Sequence, residues 1–494
     1  MSVAEYFTQA QKQIEQQKWQ DASESFQKII ELEPNRWDAS FNLGQVLCQQ
    51  QKYEEAIQAY KNAIAINHNC SWSYNNLGTI LLHLKKTSEA IDFFSQAINL
   101  DNKNPWFYKN LAQAFVKQGN EVKALDCFRK AVQINPNSPE LQVALGKSLK
   151  KHNFIKEAVN CFCRALRVDP NYLPAYTALK FTQLEPAWLD KVINFYQEIL
   201  EKNQDLVPAL TNLADLLTQQ NKLEKAMGYY QKSIYKKTVG LNPELAKLDW
   251  TSAKQQAPNF LIIGVGKCGT TSLYSYLDHH PQILLPNNKE INFFSKNFTN
   301  GLNWYLSQFP NITDGSDFLT GEASPSYFFM PHVPERIYQI APNIKLIVVL
   351  RNPVDRSISA YYQQRKTGKV KDTLEKLLIK EIKYYQQATR EDLSFASGIM
   401  LQGLYLLKLQ RWMQIFPQEQ FLILKSEDFF GDPAKIMKQV FQFLELPEVV
   451  NEKYHQLNIG SYPAVQDETR QKLTEFFHLH NQELEEYLQM DFNW

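Results

Sequence analysis

A pattern that returns every 34 residues through the first half of the chain constrains its fold more than any other feature. With the frame set at Val3, units begin at Val3, Trp37, Ser71, Pro105, Pro139, Leu173 and Val207, and the last ends near Gly240. The eighth position of successive units holds Ala10, Gly44, Gly78, Ala112, Gly146, Lys180 and Ala214. The twentieth holds Ala22, Ala56, Ala90, Ala124, Ala158, Val192 and Ala226, and the twenty-fourth Phe26, Tyr60, Phe94, Phe128, Phe162, Tyr196 and Tyr230. Pro34, Pro136 and Pro170 close their units. A period of this length is one supersecondary unit, which buries its apolar face only by stacking on its neighbours. The expected unit is a pair of helices. Small residues let the two helices approach, the aromatic fills the gap, and proline stops the second helix. The sixth unit, from Leu173 to Leu206, fits least well, with Lys180 and Val192 at small-residue positions.

These positions resemble the tetratricopeptide (TPR) family. The resemblance implies an α-superhelix whose concave face takes a peptide or protein ligand; it implies a scaffold and no chemistry. The rest of the composition narrows the function. A chain of 494 residues exceeds one ordinary core. Its 53 Lys plus Arg against 52 Asp plus Glu give a net charge of +1, which argues against a general nucleic-acid binder. The six cysteines, Cys48, Cys70, Cys127, Cys161, Cys163 and Cys268, form no CxxC pair with accompanying histidines, so no zinc site is expected. Cys161 and Cys163, two apart on a helix, point to different faces. Free thiols fit a reducing compartment. The opening residues show no basic-then-apolar leader, and no apolar run reaches the roughly 18 residues of a membrane helix, so the expected location is cytoplasmic.

After the repeats, Asn242-Pro243-Glu244 reads as a helix cap with proline in the first turn. A short helix through Leu245, Leu248 and Ala253 is expected to cover the last repeat. Phe260-Leu261-Ile262-Ile263 then reads as a buried strand running into Gly264-Val265-Gly266-Lys267-Cys268-Gly269-Thr270-Thr271-Ser272, after which a helix follows. Strand, glycine-rich turn and helix N-terminus form the geometry that holds phosphate through backbone N–H groups. Gly264 and Gly269 have the spacing of a nucleotide hydrolase loop, but Thr270 stands where its lysine belongs, and the lysine sits inside the loop at Lys267. A second strand, Lys345 to Leu350, ends in Arg351-Asn352-Pro353 rather than in a magnesium-holding aspartate. An arginine there suits a phosphate monoester, and Ser359 follows eight residues later on an expected helix. One anion loop plus one Arg/Ser site fits a nucleotide with phosphates at both the 5' and 3' positions.

From about Asn259 to Trp494 these features resemble the sulfotransferases that use 3'-phosphoadenosine 5'-phosphosulfate (PAPS), the heparan-sulfate type most of all. The resemblance rests on Lys267 with Gly269 to Ser272, on Arg351 and Ser359, on Lys289-Glu290-Ile291-Asn292-Phe293-Phe294, and on later landmarks in order: Gly403-Leu404-Tyr405, Arg411-Trp412, Phe416-Pro417, Glu427-Asp428, Asp432-Pro433 and Asp491-Phe492-Asn493-Trp494. It implies that Lys267 and Glu290 are catalytic, with Glu290 the base. It implies that Lys267, Cys268, Gly269, Thr270, Thr271, Ser272, Arg351 and Ser359 hold the nucleotide, with Gly460, Ser461 and Tyr462 where the family has a closing loop. PAPS is the implied co-substrate, 3',5'-ADP the product, and no metal is required. Two places depart from the family. Ala323 occupies a position that carries a lysine in several members, and Asn458 to Pro463 has no basic residue where the heparan type has Lys-Gly-Arg.

The expected fold is therefore α + α/β: a TPR superhelix over 3–240, a capping helix or linker over 241–257, and a P-loop-like three-layer α/β/α domain with a parallel sheet over 258–494. The expected activity is sulfuryl transfer to a hydroxyl or amine acceptor on a glycan, peptide or small molecule, with the repeats recruiting acceptor or partner. Two alternatives stay open: a nucleotide or small-molecule kinase built on the glycine-rich loop, and a non-catalytic TPR adaptor with an inactive second domain.

Overall fold

The computed structural model describes residues 1–494 apart from 249, 251–255, 312–316, 450–453, 455, 456, 458, 459, 461 and 464. The chain forms two compact units, Met1–Gln204 and Asp205–Trp494.

Fourteen helices run from Val3 to Leu241, and the first helix of every repeat begins on its register residue, from Val3–Glu15 to Val207–Gln219. The small and aromatic positions account for the pairing. Ala22, Ala56, Ala90, Ala124, Ala158 and Ala226 are fully buried, and so, to within a few per cent, are all seven aromatics at the twenty-fourth position. The aromatic is seated on the small residue of its own unit. A Cβ on Gly44 would come within 2.9 Å of the Tyr60 ring, and one on Gly78 within 2.8 Å of Phe94. The second helix thus closes on the first only because the eighth residue leaves room for a ring. The sixth unit departs in a definite way. Its first helix, Leu173–Lys180, is only eight residues long and stops at Lys180, which is exposed. The second, Pro186–Lys202, opens on a proline in its first turn. Tyr176 of the first helix stacks on Tyr196 of the second at 5.9 Å.

The second unit carries a five-stranded sheet in the order β2-β3-β1-β4-β5, with β1 Phe260–Gly264, β2 Ile283–Leu284, β3 Leu319–Ala323, β4 Lys345–Leu350 and β5 Phe421–Lys425. Every pairing is parallel; β1 lies between β3 and β4, with Phe260 opposite Gly321 on one side and Lys345 on the other. All five residues of β1 are buried, as a parallel strand covered on both faces requires. Open parallel sheets bind ligands in the crevice outside their carboxyl ends, and here those ends lead into Gly264, Ala323, Leu350 and Lys425.

The seventh repeat belongs to this second unit. Its helices, Val207–Gln219 and Leu223–Leu241, contact the segments around Asp278, Asn287 and Trp304. A short 3-10 helix, Pro243–Lys247, follows where a longer α-helix was expected. Leu245 in it is buried and accepts a hydrogen bond from Trp250 Nε1 at 2.9 Å, and Trp250 packs edge-on against Tyr235. Ala253, the far end of the expected helix, lies outside the described residues.

Two glycines separate packing from propensity. Gly78→Val forces a side chain into the Phe94 ring and is expected to cost about 1–3 kcal/mol. A Cβ on the helical Gly228 meets nothing within 4 Å, so Gly228→Ala is expected to stabilise by about 0.4–1 kcal/mol. Urea unfolding of the two variants checks the opposite signs.

Candidate active site

The loop after β1 is shaped by its backbone. Lys267 and Gly269 both adopt left-handed conformations, with φ of 78° and 103°. The chain curls tightly there before the helix Thr270–Leu277 begins, a geometry that gathers N–H groups around an anion. Arg351 Nη1 donates to the Lys267 carbonyl at 3.3 Å, and Arg356 Nε donates to the Gly266 carbonyl at 3.3 Å. Two guanidinium groups thus hold the loop from the β4 side. Burial, followed by Arg351 and then Arg356, pushes the Lys267 ammonium below the ordinary lysine range. The loop is a partly buried cluster of positive charge that an anion would relieve.

At the end of β4, Tyr405 Oη donates to the Arg351 carbonyl at 2.8 Å and Glu427 Oε1 accepts from Asn352 N–H at 2.9 Å. The helix Pro353–Lys366 starts there, capped by the Asn352 side chain, and brings Ser359 to the same side as Arg351.

Glu290 reaches the same cavity from a separate loop, between β2 and β3. Phe293 and Phe294, which follow it, are buried in an aromatic cluster with Tyr305 and Tyr327, so the Phe-Phe pair anchors the loop to the core. Glu290 N–H donates to the Ala323 carbonyl at 3.0 Å, and Asn292 N–H to Ser324 Oγ at 3.0 Å. Both residues have left-handed backbone, φ 65° at Glu290 and 54° at Asn292, uncommon for non-glycine residues and found where surroundings over-determine the chain. The Glu290 carboxylate is exposed and lies 3.0 Å from Lys289 Nζ.

These elements enclose a cavity of about 960 Å³. Its wall includes Gly266, Lys267, Gly269, Thr270, Thr271, Glu290, Arg351, Ser359, Gly460 and Tyr462, with Pro325, Phe329, Met330 and Phe395 giving it an apolar side. Cys268 and Ser272 lie behind that wall. Cys268 is fully buried, and burial pushes its thiol up to about 12. Ser272 is buried and its Oγ accepts from Leu457 N–H at 3.0 Å. Ser461 lies outside the described residues. Ala323 is buried in β3, and its carbonyl serves the Glu290 loop.

Sequence reasoning missed two buried charges that build this site. Arg356 is fully enclosed; besides Gly266 it donates to the Ile399 carbonyl and Gln402 Oε1, while Glu381 beside it accepts from the N–H groups of Ile399, Met400 and Leu401. The available signal was an arginine set among Val354, Ile358 and Ala360 on one helix. Glu322 in β3 is also fully buried and accepts from Tyr305 Oη, Tyr327 Oη and Ser324 Oγ at 3.0, 2.8 and 2.8 Å. Burial raises its pKa despite these donors. Tyr327 Oη in turn accepts from Phe294 N–H at 3.3 Å, which ties Glu322 to the Glu290 loop. Among the described residues no cluster of His, Cys, Asp and Glu could hold a metal ion, and no helix is long and apolar enough to cross a membrane.

Both parts of the chain resemble known proteins. Residues 257–484 match the sulfotransferase domain family, and residues 7–68, 38–103, 105–138 and 209–238 match tetratricopeptide repeat families. Human heparan sulfate glucosamine 3-O-sulfotransferase 6 is 31% identical over 269 residues, spanning 49% of this chain and 75% of that protein. The membrane-associated sulfotransferase kil1 of Dictyostelium discoideum is 26% identical over 312 residues, spanning 48% of this chain and 66% of its own length. A sulfotransferase of solved structure from Alicyclobacillus acidocaldarius is 29% identical and superposes with a TM-score of 0.40 over 48% of this chain and 97% of that one. The chain therefore belongs to the sulfotransferase family, with tetratricopeptide repeats filling its N-terminal half.

Proposed function

We propose that the second unit transfers the sulfuryl group of PAPS to a hydroxyl or amine acceptor and releases 3',5'-ADP. The observation that carries this reading is one cavity walled by the Lys267 loop, by Arg351 with Ser359, and by Glu290. The donor set fits the nucleotide. The loop N–H groups and Lys267 suit the 5'-phosphosulfate, and the planar fork of Arg351 with the Ser359 hydroxyl suits a 3'-phosphate. Gly460 and Tyr462 on the wall fit a place over the nucleotide; Tyr462 stacks on Tyr362 at 5.0 Å, which supplies a rigid face in place of a basic loop. The charge at Lys267 supports the same assignment, because a bound polyanion would offset the repulsion from Arg351 and Arg356 and keep the ammonium protonated.

In this reading the Glu290 carboxylate takes the proton from the acceptor hydroxyl or amine, a role worth roughly a hundred- to ten-thousand-fold. As the bond from sulfur to the acceptor forms and the bond from sulfur to the bridging oxygen breaks, the Lys267 ammonium stabilises the negative charge left on that oxygen. Lys267 is the lysine on the described wall that fits this role, since Ala323 offers no side-chain charge. No residue of this scheme calls for a metal. The repeats fit a peptide or protein ligand that brings the acceptor, and the six free thiols fit a reducing, cytoplasmic setting.

Thermal-shift titration tests the nucleotide class. 3',5'-ADP is expected to stabilise the protein well above 5'-ADP, and Arg351→Ala and Ser359→Ala are expected to erase that preference; equal stabilisation of the wild type by both nucleotides contradicts the reading. For the chemistry, Glu290→Gln is expected to keep 3',5'-ADP affinity and lose at least a hundredfold in turnover of PAPS. Undiminished turnover removes Glu290 from the mechanism. Recruitment by the repeats predicts a higher kcat/KM for the natural acceptor in the intact chain than in residues 205–494, a fragment that keeps the seventh repeat with the transferase unit.

A further inference from the structure

The segment that leads into Glu290 is fastened to the seventh repeat by consecutive anchors. Lys237 Nζ donates to the Leu285 carbonyl at 3.1 Å. Asn287 Nδ2 donates to Ser233 Oγ at 2.7 Å, and Asn288 Nδ2 donates to Asp215 Oδ1 at 2.8 Å. On the transferase side Tyr274 Oη holds the Pro286 carbonyl at 3.1 Å. The repeat's own anchoring groups are fixed in turn. Ser233 is fully buried, pairs with Thr211 Oγ1 at 2.7 Å, and donates to the Val207 carbonyl. Asp215 accepts from Tyr230 Oη at 2.6 Å, and Tyr230 is the aromatic that the 34-residue pattern places between the two helices. Tyr230 also meets Trp304 edge-on at 6.1 Å, and Trp304 Nε1 donates to Thr218 Oγ1 at 3.0 Å.

We infer that Asp215 and Ser233 of the last tetratricopeptide repeat are positioning residues for Glu290, acting through Asn288 and Asn287. The inference rests on the reading of Glu290 as the base. Glu290 holds a left-handed backbone that its own residue type disfavours, so its place depends on what grips the chain to either side. After Glu290 the grip comes from the sheet, through Ser324 and the Ser326 hydroxyl on Asn292. Before it, the side-chain grip comes from the repeat at Leu285, Asn287 and Asn288, with Tyr274 of the transferase fold on Pro286 between them. The two clamps fix both ends of a short span, and the carboxylate is carried between them. A general base must stand within hydrogen-bond reach of the proton it removes, and a displacement of about 1 Å can cost a hundredfold in rate. The repeat fold is thereby a working part of the transferase site, in addition to whatever its array binds.

The test uses the full chain, with PAPS turned over in water as the sulfuryl acceptor and read as release of 3',5'-ADP. Asn288→Ala removes the donor. Asn288→Asp sets a carboxylate against Asp215, and the exchanged pair Asp215→Asn with Asn288→Asp restores one donor facing one acceptor. The single variants are expected to lose about ten- to a hundredfold in kcat, with KM for PAPS and Kd for 3',5'-ADP within about twofold of wild type. The exchanged pair is expected to recover most of the loss, which a general loss of stability would not allow. Amide exchange over 285–290 should rise in the single variants and return in the pair, and this readout needs no turnover. Wild-type kcat in Asn288→Asp beside an inactive Glu290→Gln overturns the positioning role alone. So does a loss that the exchanged pair fails to recover, or unchanged exchange over 285–290. Full turnover in Glu290→Gln overturns the assignment of the base, and the positioning role with it.

Discussion

Strand β1 lies between β3 and β4, and because the three run in the same direction their carboxyl ends open on one side of the sheet. The rest of the second unit follows from that pairing. The loop that carries Lys267 leaves β1, the turn that carries Arg351 leaves β4, and the end of β3 offers the Ala323 carbonyl to the Glu290 loop. Groups separated by more than 60 residues in sequence therefore meet around one cavity. The same pairing explains the apolar sequence of the strands, since a parallel sheet buried on both faces leaves no polar alternation to read.

Such a cavity concentrates charge, and the structure supports it with buried ionic groups whose hydrogen bonds are satisfied. Arg356 is enclosed by carbonyl and amide oxygens, and Glu381 takes three backbone N–H groups beside it. Glu322 is enclosed by three hydroxyl donors. An isolated buried charge would be costly, and one surrounded by fixed partners trades that cost for rigidity. Arg356 fixes the phosphate loop and Glu322 fixes the segment after Glu290, so the two halves of the cavity are stiffened from behind by charges that never line it. Lys267 is half-buried beside Arg351 and Arg356, and burial first, then these two guanidinium groups, lower its pKa.

The repeats show how one geometric rule serves two ends. Where the eighth residue of a unit is glycine, it makes one contact with the aromatic twenty-fourth residue, visible at Gly44 with Tyr60 and Gly78 with Phe94. In the seventh repeat the aromatic, Tyr230, keeps that place and turns its hydroxyl to Asp215, which also receives Asn288 from the transferase fold. A residue chosen by repeat packing is thus bonded to a partner that grips the segment before Glu290.

The sequence by itself determined the period of the array, the start of each repeat's first helix, the buried strands and the glycine-rich turn. These are local properties: a helix pair advertises itself every 34 residues, a buried strand as an apolar run, and a phosphate loop as glycines at fixed spacing. It also picked out Lys267, Arg351 and Ser359 by residue type and place, and Glu290 through the family resemblance, and all four line one cavity. Only the tertiary structure decided the rest. It set Cys268 and Ser272 behind the wall although their neighbours line it: left-handed Lys267 and Gly269 turn the chain on either side of Cys268, and Ser272 lies on the buried face of the helix that follows. It ended the sixth unit's first helix at Lys180 and kept the chain after Leu241 to a short 3-10 helix. It placed the seventh repeat in the second compact unit and joined Asp215 to Asn288 across 73 residues. Periodicity and spacing report what neighbouring residues do together; a hydrogen bond between distant segments exists only once packing has brought its two ends into reach.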